Sequence, residues 1–344
     1  TQDDLTREAI CAAAGVPMVF NEEYAERLRR WWERRGREMP ESNLRQAQHP
    51  EGAELIINRK GTAPGLRLYA GDTWIFAVPG VPAELVPMLD DDIIPFLQRA
   101  AGEDGAVVVS RLLRTWGESE SKVGEMLADL YESSSNPTVA FLASSGEIKI
   151  RLTAKAATDD AARELIDPVE REIRERMGAR VFGADDETIE RVLLDLLAER
   201  RWTLGTAESA TGGMIAARIT EVPGASAVFR VSLVTYATAL KRSLLGVAGH
   251  LIEEYGVVSE EVASVMAEHA ADVLDADVVI AVTGSAGPDP QEHAAGTMIV
   301  AVHTPDQVAA RTLFMPGDRE RVRTYTTTAA LHLARLAVSG DGWS

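Results

Sequence analysis

Short apolar runs alternate with longer amphipathic segments over the C-terminal part of the chain. Helical spacing of apolar residues is found at 187–200, 214–221, 260–274 and 319–338. Continuous apolar runs typical of buried strands are found at 202–207, 277–282, 296–302 and 309–315. Ser259 and Asp318 stand immediately before two of the helical segments, where a side-chain oxygen caps the first turn. This alternation predicts a three-layer α/β domain over residues 185–344.

The middle of the chain, residues 106–184, has a different pattern. Strand and helix signals follow one another at 106–114, 119–131, 138–143, 147–154, 158–177 and 179–182. The order strand, helix, strand, strand, helix, strand predicts a small α+β sandwich of ferredoxin-like or KH-like type. No Gly-x-x-Gly clamp or basic strip supports RNA binding. We therefore interpret this part as a spacer and a dimerisation element.

The first part, residues 1–101, combines short strands and helices with loops that are rich in glycine and proline. Helices are predicted at 6–14, 22–35, 83–89 and 93–99, and strands at 54–58 and 73–78. Asn21 stands where it caps the second of these helices. The segment 102–105 is rich in glycine and acid, which predicts a linker.

Composition excludes several classes of function. The 344 residues are enough for two or three domains, and the formal net charge of -18 disfavours direct nucleic-acid binding. Cys11 is the single cysteine, which excludes an intrachain disulfide and leads us to expect a cytoplasmic protein. No apolar run approaches the ~20 residues that cross a bilayer, so no membrane partner is expected. The six histidines show no metal-ligand spacing.

The stretch from Thr206 to Gly213 has the pattern of a strand that enters a tight turn and then a helix. Gly212 and Gly213 allow the backbone to bend sharply and to approach a ligand. Ser209 and Thr211 lie beside the unpaired N–H groups of the helix start, where anions or a developing oxyanion bind. The turn can therefore hold a phosphate or present a serine nucleophile. Alternatively, Ser209 or Thr211 only caps the helix.

Two motifs of this region resemble a known family. The first is Ala207-Glu208-Ser209-Ala210-Thr211-Gly212-Gly213, and the second is Val234-Thr235-Tyr236-Ala237-Thr238-Ala239-Leu240-Lys241. They are similar to the Ala-Glu-Ser-Cys-Thr-Gly-Gly and Val-x-Tyr-x-Asn-x-x-Lys motifs of the C-terminal domain of the competence/damage-inducible protein CinA. That family includes the stand-alone nicotinamide-nucleotide amidohydrolase PncC. The resemblance places Lys241 on the strand after the turn, although an isolated lysine there is more often a solvated surface residue.

The resemblance implies hydrolysis of nicotinamide mononucleotide to nicotinic acid mononucleotide and ammonia, without a cofactor. Our hypothesis is that Ser209 is the nucleophile and that Lys241 takes its proton directly or through Tyr236. This requires a lysine pKa well below the usual ~10.4. Thr211 and the backbone N–H groups near the two glycines would stabilise the oxyanion. Substrate contacts are implied at Glu208, Gly212, Gly213, Thr238, Thr283, Gly284, Ala286, Gly287 and Arg319.

The match has departures that all lie in or beside the implied pocket. Ala210 replaces the usual cysteine, Thr238 the usual asparagine, and Ser285 the isoleucine of Thr-Gly-Ile-Ala-Gly-Pro. The glycine pair that normally follows that motif is lost at 289–295. Loss of the asparagine amide can remove a substrate hydrogen bond, so weakened deamidation is an open alternative. Arg319 and Arg323 are candidate phosphate contacts or ordinary surface residues.

The first part also resembles a domain of the same proteins. Gly61-Thr62-Ala63-Pro64-Gly65 and Pro79-Gly80-Val81-Pro82-Ala83-Glu84 are similar to loops of the molybdopterin-binding-type domain at the N-terminus of full-length CinA. The sequence begins inside that family's Gly-Pro-Thr-x-Asp-Asp-Leu-Thr motif, so we expect the preceding strands and glycine loop to lie upstream of Thr1. The fold expected here is thus an incomplete α/β domain.

This second resemblance implies ADP-ribose pyrophosphatase activity with a divalent metal of the Mg, Mn or Co type. Carboxylates beside a glycine loop suit a metal–phosphate site, and Asp3 and Asp4 would be the metal ligands. The implied pocket residues are Asp3, Asp4, Gly61, Pro79, Gly80 and Glu84. Alternatively, the glycines and prolines only shape turns.

Three classes of function follow. The first is deamidation of nicotinamide mononucleotide, with or without pyrophosphatase activity in the first part. The second is an ADP-ribose pyrophosphatase with a degenerate deamidase domain. The third is a non-catalytic interaction protein linked to competence or DNA damage. In each case the expected assembly is a homodimer.

Overall fold

A computed structural model describes residues 4–101, 106–144, 146–289 and 293–343. The predicted linker at 102–105, Asp3, and residues 290–292 of the altered loop lie outside the described residues. The chain divides into two compact units, Thr1–Gly105 and Ala106–Ser344. None of the described helices is long and apolar enough to cross a membrane.

The first unit contains short helices and two small antiparallel sheets. Its elements are α1 (Thr6–Ala14), β1 (Met18–Phe20), α2 (Glu22–Glu33), β2 (Gln48–Pro50), β3 (Glu54–Ile56), β4 (Gly65–Ala70), β5 (Thr73–Ala77), α3 (Pro82–Met88) and α4 (Ile94–Ala101). Strands β1 and β2 form one sheet, and β3, β4 and β5 form the other in that order. Asn21 caps α2 as predicted, because its side-chain oxygen accepts from the Tyr24 N–H at 2.9 Å.

The second unit begins with an α+β sandwich. Its elements are β6 (Val107–Thr115), α5 (Glu120–Met126), α6 (Ala128–Ser133), β7 (Thr138–Ser144), β8 (Glu147–Ala156), α7 (Asp159–Met177) and β9 (Val181–Ala184). The sheet is antiparallel with the order β7-β8-β6-β9. The single helix predicted at 119–131 is two helices, because the backbone of Leu127 leaves the helical region at φ -120° and ψ 16°.

The rest of the second unit is a three-layer α/β fold, as predicted. Its elements are α8 (Ile189–Arg200), β10 (Leu204–Glu208), α9 (Met214–Thr220), β11 (Phe229–Val234), α10 (Thr238–Ser243), α11 (Gly249–Tyr255), α12 (Glu260–Leu274), β12 (Val278–Gly284), β13 (Thr297–His303), β14 (Val308–Phe314) and α13 (Arg319–Ser339). The sheet order is β11-β10-β12-β13-β14. Strand β10 is parallel to β11 and β12, whereas β13 and β14 are antiparallel additions.

Alternate residues of the central strands serve two separate hydrophobic cores. In β12, Val278, Ile280 and Val282 pack in the core beneath α8, α9 and α13. Val279 and Ala281 pack in the core beneath α12. A strand presents successive side chains to opposite faces, so a fully apolar strand is buried on both. This arrangement fixes β12 as the central strand of the sheet, with β10 buried beside it.

The two parts of the second unit share a buried contact at α13. His332 is fully buried, stacks on Trp116 with ring centroids 4.7 Å apart, and has Nε2 3.2 Å from the Glu147 Oε1 atom. Burial lowers the pKa of His332 to about 4, although Glu147 opposes this shift. The ring is therefore neutral near pH 7, and the contact is an aromatic packing site rather than an ion pair.

Candidate active site

The candidate site lies where three parallel strands end side by side. Glu208, the last residue of β10, pairs in register with Val234 of β11 and Val282 of β12. Ser209 follows β10, and Thr283 continues β12 at the same edge. Loops at the carboxyl ends of parallel strands are the usual place for ligand sites in open α/β sheets. The topology therefore brings residues far apart in sequence to one edge.

Ser209 and Lys241 are in direct contact at this edge. Lys241 Nζ donates to Ser209 Oγ at 2.8 Å and to the Thr235 carbonyl oxygen at 2.9 Å. Only 1% of Lys241 and 8% of Ser209 is exposed. Burial lowers the pKa of Lys241 to about 8. A lysine with that pKa has a neutral fraction near pH 7 that can accept a proton.

The predicted position of Lys241 on the next strand is wrong. Strand β11 ends at Val234, and Lys241 lies on the short helix α10 that follows it. The Thr235 N–H still pairs with the Glu208 carbonyl oxygen at 2.8 Å, but the chain then turns away from the sheet. The turn returns the amine over the end of β10, so contact with Ser209 depends on the turn and not on strand register.

Tyr236 lies at the rim of the site and not between the serine and the lysine. Its side chain is 60% exposed, and its hydroxyl accepts from Arg319 Nη2 at 2.9 Å. Arg319 Nη1 also donates to the Gly287 carbonyl oxygen at 2.7 Å. The direct contact between Lys241 and Ser209 makes the proton route through Tyr236 unnecessary.

A pocket of about 180 Å³ opens on the Ser209–Lys241 pair. It is lined by Ser209, Ala210, Tyr236, Thr238, Lys241, Val257, Val258, Thr283, Gly284, Ala286 and Arg319. Val257 and Val258 carried no chemical signal in the sequence, because two valines before a helix cap resemble ordinary core residues. Thr283 Oγ1 donates to the Val257 carbonyl oxygen at 3.0 Å, so its hydroxyl anchors the loop that contains Val257 and Val258.

Two predicted glycine contacts have structural roles. A Cβ atom on Gly284 would lie 2.8 Å from the Thr297 carbonyl oxygen and 2.9 Å from the Met298 Cα atom, so the pairing of β12 with β13 requires glycine there. Gly287 contributes its carbonyl oxygen to Arg319. Gly284 and Ala286 also line the pocket, whereas Gly287 does not.

Glu208, for which the resemblance implied a substrate contact, lies inside the turn and does not line the pocket. Its carboxylate is fully buried and accepts from the backbone N–H groups of Gly213 at 2.9 Å, Ile215 at 3.2 Å and Ala216 at 3.0 Å. It thereby satisfies the first turn of α9, whose capping residue uses no side chain of its own. The alternative that Ser209 or Thr211 caps α9 is therefore wrong, and Ser209 Oγ is left for Lys241.

The N–H groups predicted to form the oxyanion site are already engaged. Gly212 N–H donates to the Ser209 carbonyl oxygen at 3.0 Å, and Gly213 N–H donates to Glu208. Thr211 Oγ1 is buried and has no partner among the described residues. Within the described part of the chain, the Ala210 and Thr211 N–H groups donate to no acceptor. Among the N–H groups of this turn, these two, and not those of the glycines, are left without an acceptor in the described residues.

Replacing Glu208 with glutamine is expected to destabilise the chain by about 1–3 kcal/mol, because a buried three-fold acceptor loses its charge and one oxygen. Calorimetric melting of the intact chain measures this as a lowered transition temperature. Glu221→Gln is the matched control, since Glu221 is exposed at the opposite end of α9. Equal melting of E208Q and E221Q would contradict the capping role.

The residues implied for the first unit fall into two places. Asp4 and Pro79 line a cavity of about 70 Å³. Gly61 instead packs against Glu84, whose Oε2 accepts from Asn58 Nδ2 at 2.7 Å, and a Cβ atom on Gly61 would lie 2.5 Å from the Glu84 carboxyl carbon. Gly80 is exposed. The predicted single pocket is therefore divided, and Glu84 stabilises a loop.

The predicted metal ligands are only partly described. Asp4 Oδ1 accepts from the Thr6 N–H at 3.0 Å, and this bond lowers the pKa of Asp4. Asp3 lies outside the described residues. Within the described ranges, no group of three or more His, Cys, Asp or Glu side chains is placed to hold a metal ion.

Comparisons with known proteins agree along the whole chain. Residues 1–99 match the family model "Probable molybdopterin binding domain", 110–183 match "Damage-inducible protein CinA KH domain", and 186–338 match "CinA C-terminal domain". A CinA-like protein of Frankia casuarinae is 45% identical over 99% of this chain and 80% of its own length. This chain belongs to the CinA family.

Other CinA relatives match either nearly the whole chain or a part of it. The CinA-like protein of Dictyoglomus thermophilum is 37% identical over 97% of this chain and 81% of its own length. A solved CinA superfamily protein from Escherichia coli is 35% identical and covers 44% of this chain and 92% of its own, with a TM-score of 0.41. The family models and the full-length relatives confirm, at the level of the family, the resemblance inferred from the Ser209 and Lys241 motifs.

Proposed function

We propose that this CinA protein hydrolyses the carboxamide of nicotinamide mononucleotide to nicotinic acid mononucleotide and ammonia. The observation that carries the proposal is the 2.8 Å contact between Ser209 Oγ and Lys241 Nζ at a buried position beside a polar pocket. A hydroxyl paired with a lysine of lowered pKa is an activated nucleophile of the serine–lysine type. Membership of the family supports the choice of substrate.

The first half of the proposed reaction forms an ester on Ser209. Neutral Lys241 takes the hydroxyl proton while Ser209 Oγ bonds to the carboxamide carbon. The N–H groups of Ala210 and Thr211 receive the oxyanion. The carbon–nitrogen bond then breaks, its electron pair stays on nitrogen, and Lys241 returns the proton, so that ammonia leaves.

The second half releases the acid. Lys241 takes a proton from a water molecule as the water oxygen bonds to the ester carbon. The bond to Ser209 Oγ breaks, and Lys241 returns the proton to that oxygen. One amide and one water thus give one carboxylic acid and one ammonia, and the proposed steps use only groups of the chain, without a cofactor.

The position and charge of Arg319 favour binding of a phosphorylated substrate. It lines the pocket, and its two described hydrogen bonds go to neutral oxygens of Gly287 and Tyr236. Among the described residues no carboxylate pairs with it, so its charge is available to an anion. Arginine is well suited to phosphate because its planar fork matches two oxygens. Thr238 also lines the pocket and offers a hydroxyl at the asparagine position of the Val-x-Tyr-x-Asn-x-x-Lys motif.

A substrate panel tests the proposal on the intact chain. Nicotinamide mononucleotide, nicotinamide riboside and nicotinamide are compared at equal concentration, with and without EDTA, by measuring ammonia. We expect rapid release from the mononucleotide alone and no effect of EDTA. Absence of ammonia from all three compounds overturns the proposed function.

We further propose ADP-ribose hydrolysis, with a divalent metal, as a separate activity of the first unit. The shared cavity of Asp4 and Pro79 is the observation that favours it. Release of AMP from ADP-ribose by the intact chain with Mg²⁺, Mn²⁺ or Co²⁺ tests it. No release with any of these metals rules it out.

A further inference from the structure

The turn that carries Ser209 is held from behind by an arginine of α13. Arg323 Nε donates to the Ala210 carbonyl oxygen at 3.1 Å, and Nη2 donates to the Thr211 carbonyl oxygen at 2.8 Å. The guanidinium also lies against Gly212, where a Cβ atom would come within 3.2 Å of Nη2. One planar group therefore contacts three successive residues immediately after Ser209.

This contact fixes the direction of a free N–H group. The peptide between Ala210 and Thr211 is trans, so its carbonyl and N–H point in opposite directions. Because the carbonyl points to Arg323, the Thr211 N–H points away from it. That N–H is one of the two in this turn that have no acceptor among the described residues, and the arginine therefore determines where it is aimed.

The same peptide is the part of the turn that rotates most easily. The Gly212 N–H bond to the Ser209 carbonyl oxygen closes a four-residue turn, and the Ala210–Thr211 peptide is its central unit. The two common turn types differ by a rotation of this central peptide. Complete rotation would need a positive φ at Thr211, which a β-branched residue avoids. Arg323 restrains the smaller rotations of this peptide that the β-branched side chain of Thr211 still permits.

We propose that Arg323 is a positioning residue that orients the Ala210–Thr211 peptide as the oxyanion donor for the amide attacked by Ser209. This inference rests on the proposed deamidation. Arg323 is four residues after Arg319, so the two lie on the same side of α13. The remainder of α13 is buried in the core, from Thr326 to Val338, which makes the helix a rigid support.

Kinetics on variants of the intact chain test the proposal. Arg323→Ala should lower kcat for nicotinamide mononucleotide by about tenfold to a hundredfold, less than the ~10²–10³ that loss of a whole oxyanion donor costs. KM should stay within about twofold, since the arginine does not line the pocket. Arg323→Lys should recover little, because an ammonium lacks the fork that bonds two carbonyls. Arg321→Ala is the matched control, as Arg321 is exposed on the same helix and lies over Tyr325.

Amide hydrogen exchange gives a readout that does not need a substrate. In R323A the peptide containing Gly212 should exchange faster than in wild type, and in R321A it should not change. If wild type is active and R323A keeps its kcat, the positioning role is wrong and the deamidase proposal stands. If wild type is inactive, the deamidase proposal fails, and unchanged exchange in R323A would overturn the restraint of the turn as well.

Discussion

Replacing Ser209 with alanine should reduce ammonia release from nicotinamide mononucleotide by at least about a thousandfold. Without Oγ no ester can form, and the remaining pocket supplies only binding and oxyanion donors. KM should change little, because the substitution removes one atom that lies beside the reacting carbon. The measurement is steady-state release of ammonia together with formation of nicotinic acid mononucleotide.

Ser243→Ala is the control for this experiment. Ser243 is exposed on α10, two residues from Lys241, and does not line the pocket. Its replacement should leave kcat and KM unchanged. A wild-type rate in S209A would show that another group attacks the amide, and the assignment of the nucleophile would have to be abandoned.

Replacing Lys241 with methionine should have an effect of similar size, about a thousandfold on kcat. Methionine approximates the length of the lysine side chain but cannot accept a proton. Lys241→Arg is the matched variant, because it keeps the charge and is never deprotonated near neutral pH. If K241R remained active, the amine would act through its charge and not as a base.

The lowered pKa of Lys241 also predicts the pH dependence of the wild-type reaction. The base must be neutral, so kcat/KM should rise about tenfold per pH unit on the acid side and level off above about pH 8. In K241M the pH profile should no longer show this titration. A wild-type profile that is flat from pH 6 to 9 would contradict the role of Lys241.

The lowered pKa of Lys241 also predicts that the free energy of unfolding rises with pH. The pKa of Lys241 is 10.5 ordinarily and about 8 in the folded chain, so between these values the unfolded chain binds more protons. Protonation of Lys241 therefore disfavours the folded chain. Its contribution to the free energy of unfolding is most favourable above pH 10.5, where the lysine is neutral in both states, and this stability is lost as the pH falls to about 8. In denaturant unfolding, the free energy of unfolding of wild type relative to K241M should be higher at pH 10 than at pH 8.

Much of the fold could be predicted because its signals are local. Ser259 and Asp318 begin α12 and α13 as predicted, since a cap requires only an oxygen and a free N–H three residues later. The strand before Ser209 and the strand before Thr283 were recognisable as apolar runs. The helix predicted at 119–131 was wrong at Leu127, where no residue of the helix-breaking type stands.

The candidate site was predictable only in part. The pairing of Ser209 with Lys241 came from a motif resemblance, since neither residue type is informative alone. The capping role of Glu208 could not be predicted, because a carboxylate next to a presumed nucleophile resembles a ligand group, whereas its partners are N–H groups five to eight residues later. The engagement of the Gly212 and Gly213 N–H groups could not be predicted, because glycine marks a backbone conformation and does not show which N–H is free.

The sequence by itself determined the alternation of long helices with buried strands over residues 185–344, the caps of the long helices and the family to which the chain belongs. Those features depend on residues within about one or two turns of each other. Tertiary structure alone decided that Lys241 is buried against Ser209, and that Arg323 bonds carbonyls 112 and 113 residues away along the chain. The burial of Lys241 and the orientation of the carbonyls that Arg323 bonds arise when distant segments pack at one sheet edge. They are therefore properties of the folded chain.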